Sequence, residues 1–189
     1  IIGGIGFLTW DDIYMNKMNF KRYRLQSKMI LMTTACLILL PSVFFFVCDL
    51  QNLSAGRRLL AATFQSVTTR TAGFNTINIS EMSEASKAVM ILLMLIGGSP
   101  GSTAGGMKTT TFMVLILNAI ATFRSQENAG AFGRRLEYHV IKNAATIAML
   151  YFVLFFCGGL AISVYEGLPL LDCLYEAASA VGTVGLTLG

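Results

Sequence analysis

Two runs of the chain, residues 29–48 and 143–165, carry no formal charge and are built mainly from Leu, Ile, Phe, Val, Met and Ala. At ~1.5 Å of rise per helical residue, each is long enough to cross the ~30 Å hydrocarbon layer of a bilayer. The rest of the chain agrees: of 189 residues 54% are hydrophobic and 13% charged, and the mean hydropathy is +0.65. A water-exposed globule of this size could hardly be solvated with so little charge, so the expected fold is an all-α integral membrane protein.

A third apolar run, 88–123, is interrupted only by Lys108. As one helix it would be ~54 Å long, well beyond a single crossing, so it must break or protrude. Its middle holds Gly97, Gly98, Gly101, Gly105 and Gly106 together with Pro100, a density that stops helix propagation. Ser99, Ser102 and Thr103 in the same stretch need water or protein partners. Lys108 is costly at membrane depth unless it faces a cavity, finds a partner or snorkels.

Basic residues cluster before the apolar runs: Lys17, Lys21, Arg22, Arg24 and Lys28 precede the first, and Arg124, Arg134, Arg135 and Lys142 precede the last. By the positive-inside rule the connections 10–28 and 124–137 are cytosolic and 75–87 is external, in a multi-pass protein of the cell's inner (plasma) membrane. The clusters read as topology signals, and nothing in the sequence suggests nucleic acid. Residues 1–9 read as the end of a preceding transmembrane helix. Cys36, Cys48, Cys157 and Cys173 lack C-x-x-C spacing and read as small core residues; His139 reads as structural, without a sequence-near ligand.

The chain repeats itself at an offset of 112 residues, the separation of Thr71 from Thr183 and of Arg22 from Arg134. Each unit has a basic connection, an apolar span, a polar break, a segment of about a dozen residues too short to cross a bilayer, and a Thr-x-Gly-hydrophobic tetrad. The first short segment follows Ser54, a suitable N-cap, and the second opens with Pro169, suited to a first helical turn. Both read as re-entrant half-helices. The tetrads Thr71-Ala72-Gly73-Phe74 and Thr183-Val184-Gly185-Leu186 then read as irregular backbone lining a watery path. Glycine there can aim successive carbonyls at a common axis, where they replace the hydration shell of a potassium ion. The half-helix before each tetrad points its partly negative C-terminal end the same way.

The segments 68–76, 97–111 and 182–187 resemble the Trk/Ktr/HKT superfamily of potassium transporters, and Ser99-Pro100-Gly101-Ser102 with Lys108-Thr109-Thr110-Thr111 is most similar to the bacterial Ktr membrane subunit. The resemblance implies four helix, pore-helix, filter-loop, helix units around one channel-like pore. This chain is expected to be a C-terminal-half fragment of that arrangement. It would hold a complete unit over 29–123, with a transmembrane helix 29–50, pore helix 55–66, filter 68–76 and a broken helix 84–123. A partial unit over 138–189 would follow, with a transmembrane helix 138–165, pore helix 169–181 and filter 182–189. Within the loop 97–108, the resemblance implies a gate formed by Gly97, Gly98, Ser99, Gly101, Ser102, Thr103, Gly105, Gly106 and Lys108. It also implies K+ as the transported ion, no cofactor in this chain, a homodimer of the membrane subunit, and a cytosolic nucleotide-binding regulatory ring of RCK type. Sodium coupling stays open.

Gly101-x4-Gly106 followed by Lys108-Thr109 approximates a phosphate-binding loop, but Met107 intervenes and no parallel-sheet pattern surrounds it, so no enzyme is expected. The alternatives are a secondary transporter of another small solute and a Na+-permeable member of the same superfamily.

Overall fold

The computed structural model describes residues 2–17, 19–51, 53–126, 129–132 and 134–189. Ile1, Met18, Glu127, Asn128 and Gly133, which fall within the 1–9, 10–28 and 124–137 segments above, lie outside the described residues, as does Asn52. The described residues form α1 (Phe7–Asn16), α2 (Leu25–Cys48), α3 (Ala55–Thr68), α4 (Glu84–Leu95), α5 (Thr109–Phe123), α6 (Tyr138–Glu166) and α7 (Leu170–Val181). The fold is all-α as expected, with one addition. A two-residue antiparallel hairpin pairs β1 (Gly130–Ala131) with β2 (Arg134–Arg135) in the connection before α6.

Helices α2 and α6, with 24 and 29 residues, reach ~36 and ~44 Å and are, among the described residues, the two helices long and apolar enough to span a bilayer. Much of their apolar surface faces outward: Leu40 is 71% exposed on α2, and Leu154 is 62% exposed on α6. A continuous apolar surface of this kind needs lipid or protein against it. This also corrects the cysteine reading. Cys36, Cys48 and Cys157 lie exposed on these helices and only Cys173 is buried, because an apolar position in a lipid-facing helix is not a core position.

Helix α3 packs back along α2, and α7 packs back along α6. These two hairpins are the repeated unit, and a buried cluster including Phe45, Ala62, Met90, Met94, Tyr175 and Ala178 joins them through α4. Pro41 lies within α2 and has no N–H to offer the Leu37 carbonyl one turn earlier. Ser66 of α3 donates to that carbonyl at 3.1 Å and to the Ile38 carbonyl at 3.0 Å, so the half-helix repairs the break and is fixed against the span by it. A second small cluster, Met29, Val114 and Ala144, joins α2, α5 and α6.

Several bounds differ from expectation for identifiable reasons. Residues 10–16 are not loop: α1 starts at Phe7 after Gly6, whose φ is 85°. The buried Asp12 carboxylate accepts from the Arg24 backbone N–H at 3.0 Å and the Ser27 hydroxyl at 2.5 Å. That carboxylate ties α1 to the start of α2, which begins at Leu25, ahead of the apolar run. Ser54 occupies the N-cap of α3 without a side-chain cap bond, and Pro169 sits one place before the first residue of α7. His139 has a neighbour the sequence reading passed over, the Glu137 carboxylate at 3.1 Å.

The over-long run breaks between Leu95 and Thr109. Its two limbs meet at a parallel bridge between Ile96 and Met107. Gly97 N–H donates to Met107 C=O at 2.9 Å, Met107 N–H to Leu95 C=O at 3.1 Å, and Thr109 N–H to Gly98 C=O at 3.0 Å. The loop is therefore pinched shut at its base.

Candidate functional site

Each half-length helix delivers the chain into a turn of the same design. In the first tetrad, Thr71 has φ 66° and Gly73 φ 74°; in the second, Thr183 has φ 54° and Gly185 φ 87°, and the intervening residues stay at negative φ. The left-handed region costs a non-glycine residue about 1–2 kcal/mol, so both threonines are held there by their surroundings. Alternating the sign of φ cancels the usual strand alternation of carbonyl direction and turns successive C=O groups toward one side.

The two turns are braced differently. Thr68 Oγ1 accepts from the Phe74 N–H at 2.8 Å and donates to the Phe74 carbonyl at 2.7 Å, closing the first. Its equivalent at the repeat offset is Ala180, which has no hydroxyl. The second turn instead closes through Val184 N–H to the Ser179 carbonyl at 2.8 Å. Glu176, further back on α7, accepts from Thr187 Oγ1 and Leu188 N–H, both at 2.8 Å.

The tetrads converge. A Cβ placed on Gly73 would lie 2.0 Å from the Val184 carbonyl oxygen, so the two backbones touch at a spot only glycine permits. Val184 and Leu186 are buried in the core, whereas Ala72, Phe74, Thr183 and Gly185 are exposed.

The glycine-rich loop is folded against both. Gly105 lies so close to Thr183 that an added Cβ would fall 1.8 Å from its hydroxyl, and a Cβ on Gly182 would fall 2.3 Å from the Met94 carbonyl. Gly97, Gly98, Ser99 and Gly106 are buried; Gly101 and Thr103 are exposed at the tip; Ser102, Gly105 and Lys108 are half-buried. Lys108 Nζ donates to the Ala104 carbonyl at 2.6 Å, so its charge is held within the loop. Ser99 donates through N–H and Oγ to the Gly4 carbonyl at 2.9 and 2.8 Å, docking the N-terminal segment on the loop. Between loop and first tetrad lies a cavity of about 170 Å³ edged by Thr71, Ala72, Gly98, Thr103 and Ala104.

Over residues 1–189 the sequence matches the family of TrkH cation transport proteins. The chain belongs to the TrkH family. It is 36% identical along its whole length to the Ktr system potassium uptake protein B of Bacillus subtilis, of which it covers 44%. It is also 36% identical to the potassium/sodium uptake protein NtpJ of Enterococcus hirae, again covering 44% of that protein. The crystal structure of the potassium transporter TrkH from Vibrio parahaemolyticus superposes on the whole chain and 42% of its own, with a TM-score of 0.79 at 20% identity, so the fold is shared. The chain spans less than half the length of these relatives. As a TrkH family member it is a multi-pass segment of an integral inner-membrane protein, from a family of ion transporters rather than enzymes.

Within this TrkH-family chain two residues at the site had no role in the sequence reading. Arg70, one place before the first tetrad, donates from Nη2 to the Gly97 carbonyl at 3.1 Å, and Glu176 braces the stretch after the second. Each is the one charged residue of its stretch, 59–80 and 173–189, and that isolation in an apolar chain would have singled out both.

Proposed function

We propose that the full-length protein conducts potassium ions into the cell through a filter in which these two tetrads supply two of four quadrants. The observation that carries this is the matched backbone: left-handed φ at Thr71 and Gly73 and again at Thr183 and Gly185, in turns that abut one another. Carbonyls of Thr71, Ala72, Gly73 and Phe74, and of Thr183, Val184, Gly185 and Leu186, would coordinate the ion in place of water. The C-terminal ends of α3 and α7 stand just before them and favour a cation. The loop 97–108 would be the gate: it is pinched at its base and packs through Gly105 against Thr183 of the second tetrad. A homodimer on a cytosolic nucleotide-binding ring of RCK type would set the gate, docking at the basic connections that hold Lys21, Arg22, Arg134 and Arg135.

A Na+-permeable variant of this reading is favoured by the potassium/sodium uptake protein NtpJ among the relatives. Intact glycines at 73 and 185 favour K+. The deciding experiment is Rb+ uptake by the full-length protein in proteoliposomes, with K+ or Na+ as competitor. Potassium is expected to compete at concentrations at least roughly tenfold below sodium; equal competition by the two ions would refute selectivity, and no uptake of either would refute conduction. Removal of residues 99–105 tests the gate in the same vesicles. Gly97 lies against Gly105 and Gly106, so the shortened loop closes across its own base without displacing α4 or α5. Flux without the regulator is expected to rise; assembled protein with unaltered flux would reduce the loop to a bend.

A further inference from the structure

We infer that Arg70 is a positioning residue that ties the first tetrad to the base of the glycine-rich loop, so that movement of the loop is felt at the filter. The inference rests on the filter and gate reading above. Arg70 immediately precedes Thr71, whose left-handed φ is held only by its surroundings. Its Nη2 donates to Gly97 at 3.1 Å, while Nε is buried with no partner among the described residues. The side chain also borders the 170 Å³ cavity between filter and loop, together with Thr71, Ala72, Gly98 and Thr103.

A half-buried guanidinium whose Nε is shut off from water is doubly unfavourable beside a cation path, through lost hydration and through repulsion of the ion. What it supplies is a rigid, charge-assisted hydrogen bond of defined direction. The acceptor is telling. Gly97 is where the two limbs of the loop meet: its N–H bonds Met107, and an added Cβ would lie 1.7 Å from the Gly105 carbonyl. The bond therefore reports the position of the loop's base rather than its tip. On the opposite side Gly105 packs beneath Thr183. The loop thus touches one tetrad through a charged bond and the other through close packing, and its base cannot shift without releasing Arg70 and the residue that follows it.

The test uses the full-length protein with its regulator, carrying Arg70→Gln or Arg70→Lys, each with an intact loop and with residues 99–105 removed. Rb+ flux without the regulator and the K+/Na+ preference are measured on protein checked for assembly by size exclusion. With the loop intact, Arg70→Gln is expected to raise regulator-independent flux roughly tenfold, the scale set by one charge-assisted hydrogen bond, and to weaken K+ preference. Arg70→Lys, which keeps charge but not the fork, should fall between; if the Gln variant does not assemble, the Lys variant carries the test. The removal leaves Gly97 and its bond to Arg70 in place but takes the barrier away, so in the shortened loop neither substitution should raise flux further, while K+ preference should fall as it does with the loop intact. Two results overturn the inference: no change in either quantity with the loop intact, or a loss of selectivity without any rise in regulator-independent flux, which would make Arg70 a local support of the filter. Gly73→Ser, run alongside, reports on the filter reading separately: selectivity lost there but untouched by Arg70 substitution overturns the tie alone.

Discussion

Gly73 and Gly185 are equivalent by sequence, yet they should not respond equally to a methyl group. Both have left-handed φ, 74° and 87°, so alanine at either position carries a backbone penalty of about 1–2 kcal/mol. At Gly185 nothing among the described residues lies within 4 Å of the added Cβ, so within this chain only that penalty applies. At Gly73 the Cβ would sit 2.0 Å from the Val184 carbonyl oxygen. Ordinary carbon to oxygen contact is about 3.3 Å, so the carbonyl must retreat by roughly 1.3 Å, and it belongs to a residue of the other tetrad. Overpacking of that kind adds about 1–3 kcal/mol, for a total of roughly 2–5 kcal/mol at Gly73 against 1–2 kcal/mol at Gly185. In the full-length protein, Gly73→Ala is expected to reduce K+/Na+ preference by more than about tenfold, and Gly185→Ala by clearly less, since each 1.4 kcal/mol is a factor of ten. Competition of Rb+ uptake by K+ and Na+ in proteoliposomes reads both variants on one scale. A loss at Gly185→Ala equal to or greater than that at Gly73→Ala would show that the tetrads do not abut at Val184 in the conducting state.

Two further outcomes follow from side chains around the site. Glu176→Ala removes the acceptor shared by Thr187 Oγ1 and Leu188 N–H and should lower both the thermal midpoint and K+ preference, whereas Glu176→Gln, which keeps a carbonyl acceptor, should retain most of both; identical losses in the two would point to the charge rather than the brace. Topology is read by labelling single cysteines from outside in a background lacking the native ones: a cysteine at Ser80, which is exposed, should react, and one at Ser125, also exposed, should not. Ser27 is unsuited to the inner position because it is buried against Asp12, and the reverse pattern of labelling would invert the charge-based orientation.

How much of this could be read from sequence depended on whether a property is local. The absence of charge over a long run is local, and so is a glycine cluster that no helix tolerates; spans and break were therefore legible without any contact being known. The repeat was legible because Thr71 and Thr183, 112 residues apart, are each followed two places on by a glycine and then by a large apolar residue. Helix α1 was not, since Asp11, Asp12 and Tyr14 among apolar residues look like connection until Asp12 is seen to bond the start of α2. Nor was the exposure of Cys36, Cys48 and Cys157, because composition cannot distinguish a core from a lipid-facing surface.

The candidate site shows the same division more sharply. Sequence identifies which glycines stand together but not why each is glycine. Gly73 and Gly105 leave no room for a Cβ beside Val184 and Thr183 respectively, while Gly101 and Gly185 have open space among the described residues and only a positive φ. The first kind records contact between segments far apart in the chain, and the second only a local turn. A filter and a gate that share no covalent neighbour can be coupled only through the first kind, and through the bond from Arg70 to Gly97. Substitutions at the crowded glycines should therefore disturb flux and selectivity together, while a substitution at Gly101, at the exposed loop tip, should disturb flux alone. Selectivity lost on Gly101→Ala, measured in the same vesicles, would mean that the loop tip itself reaches the ion path.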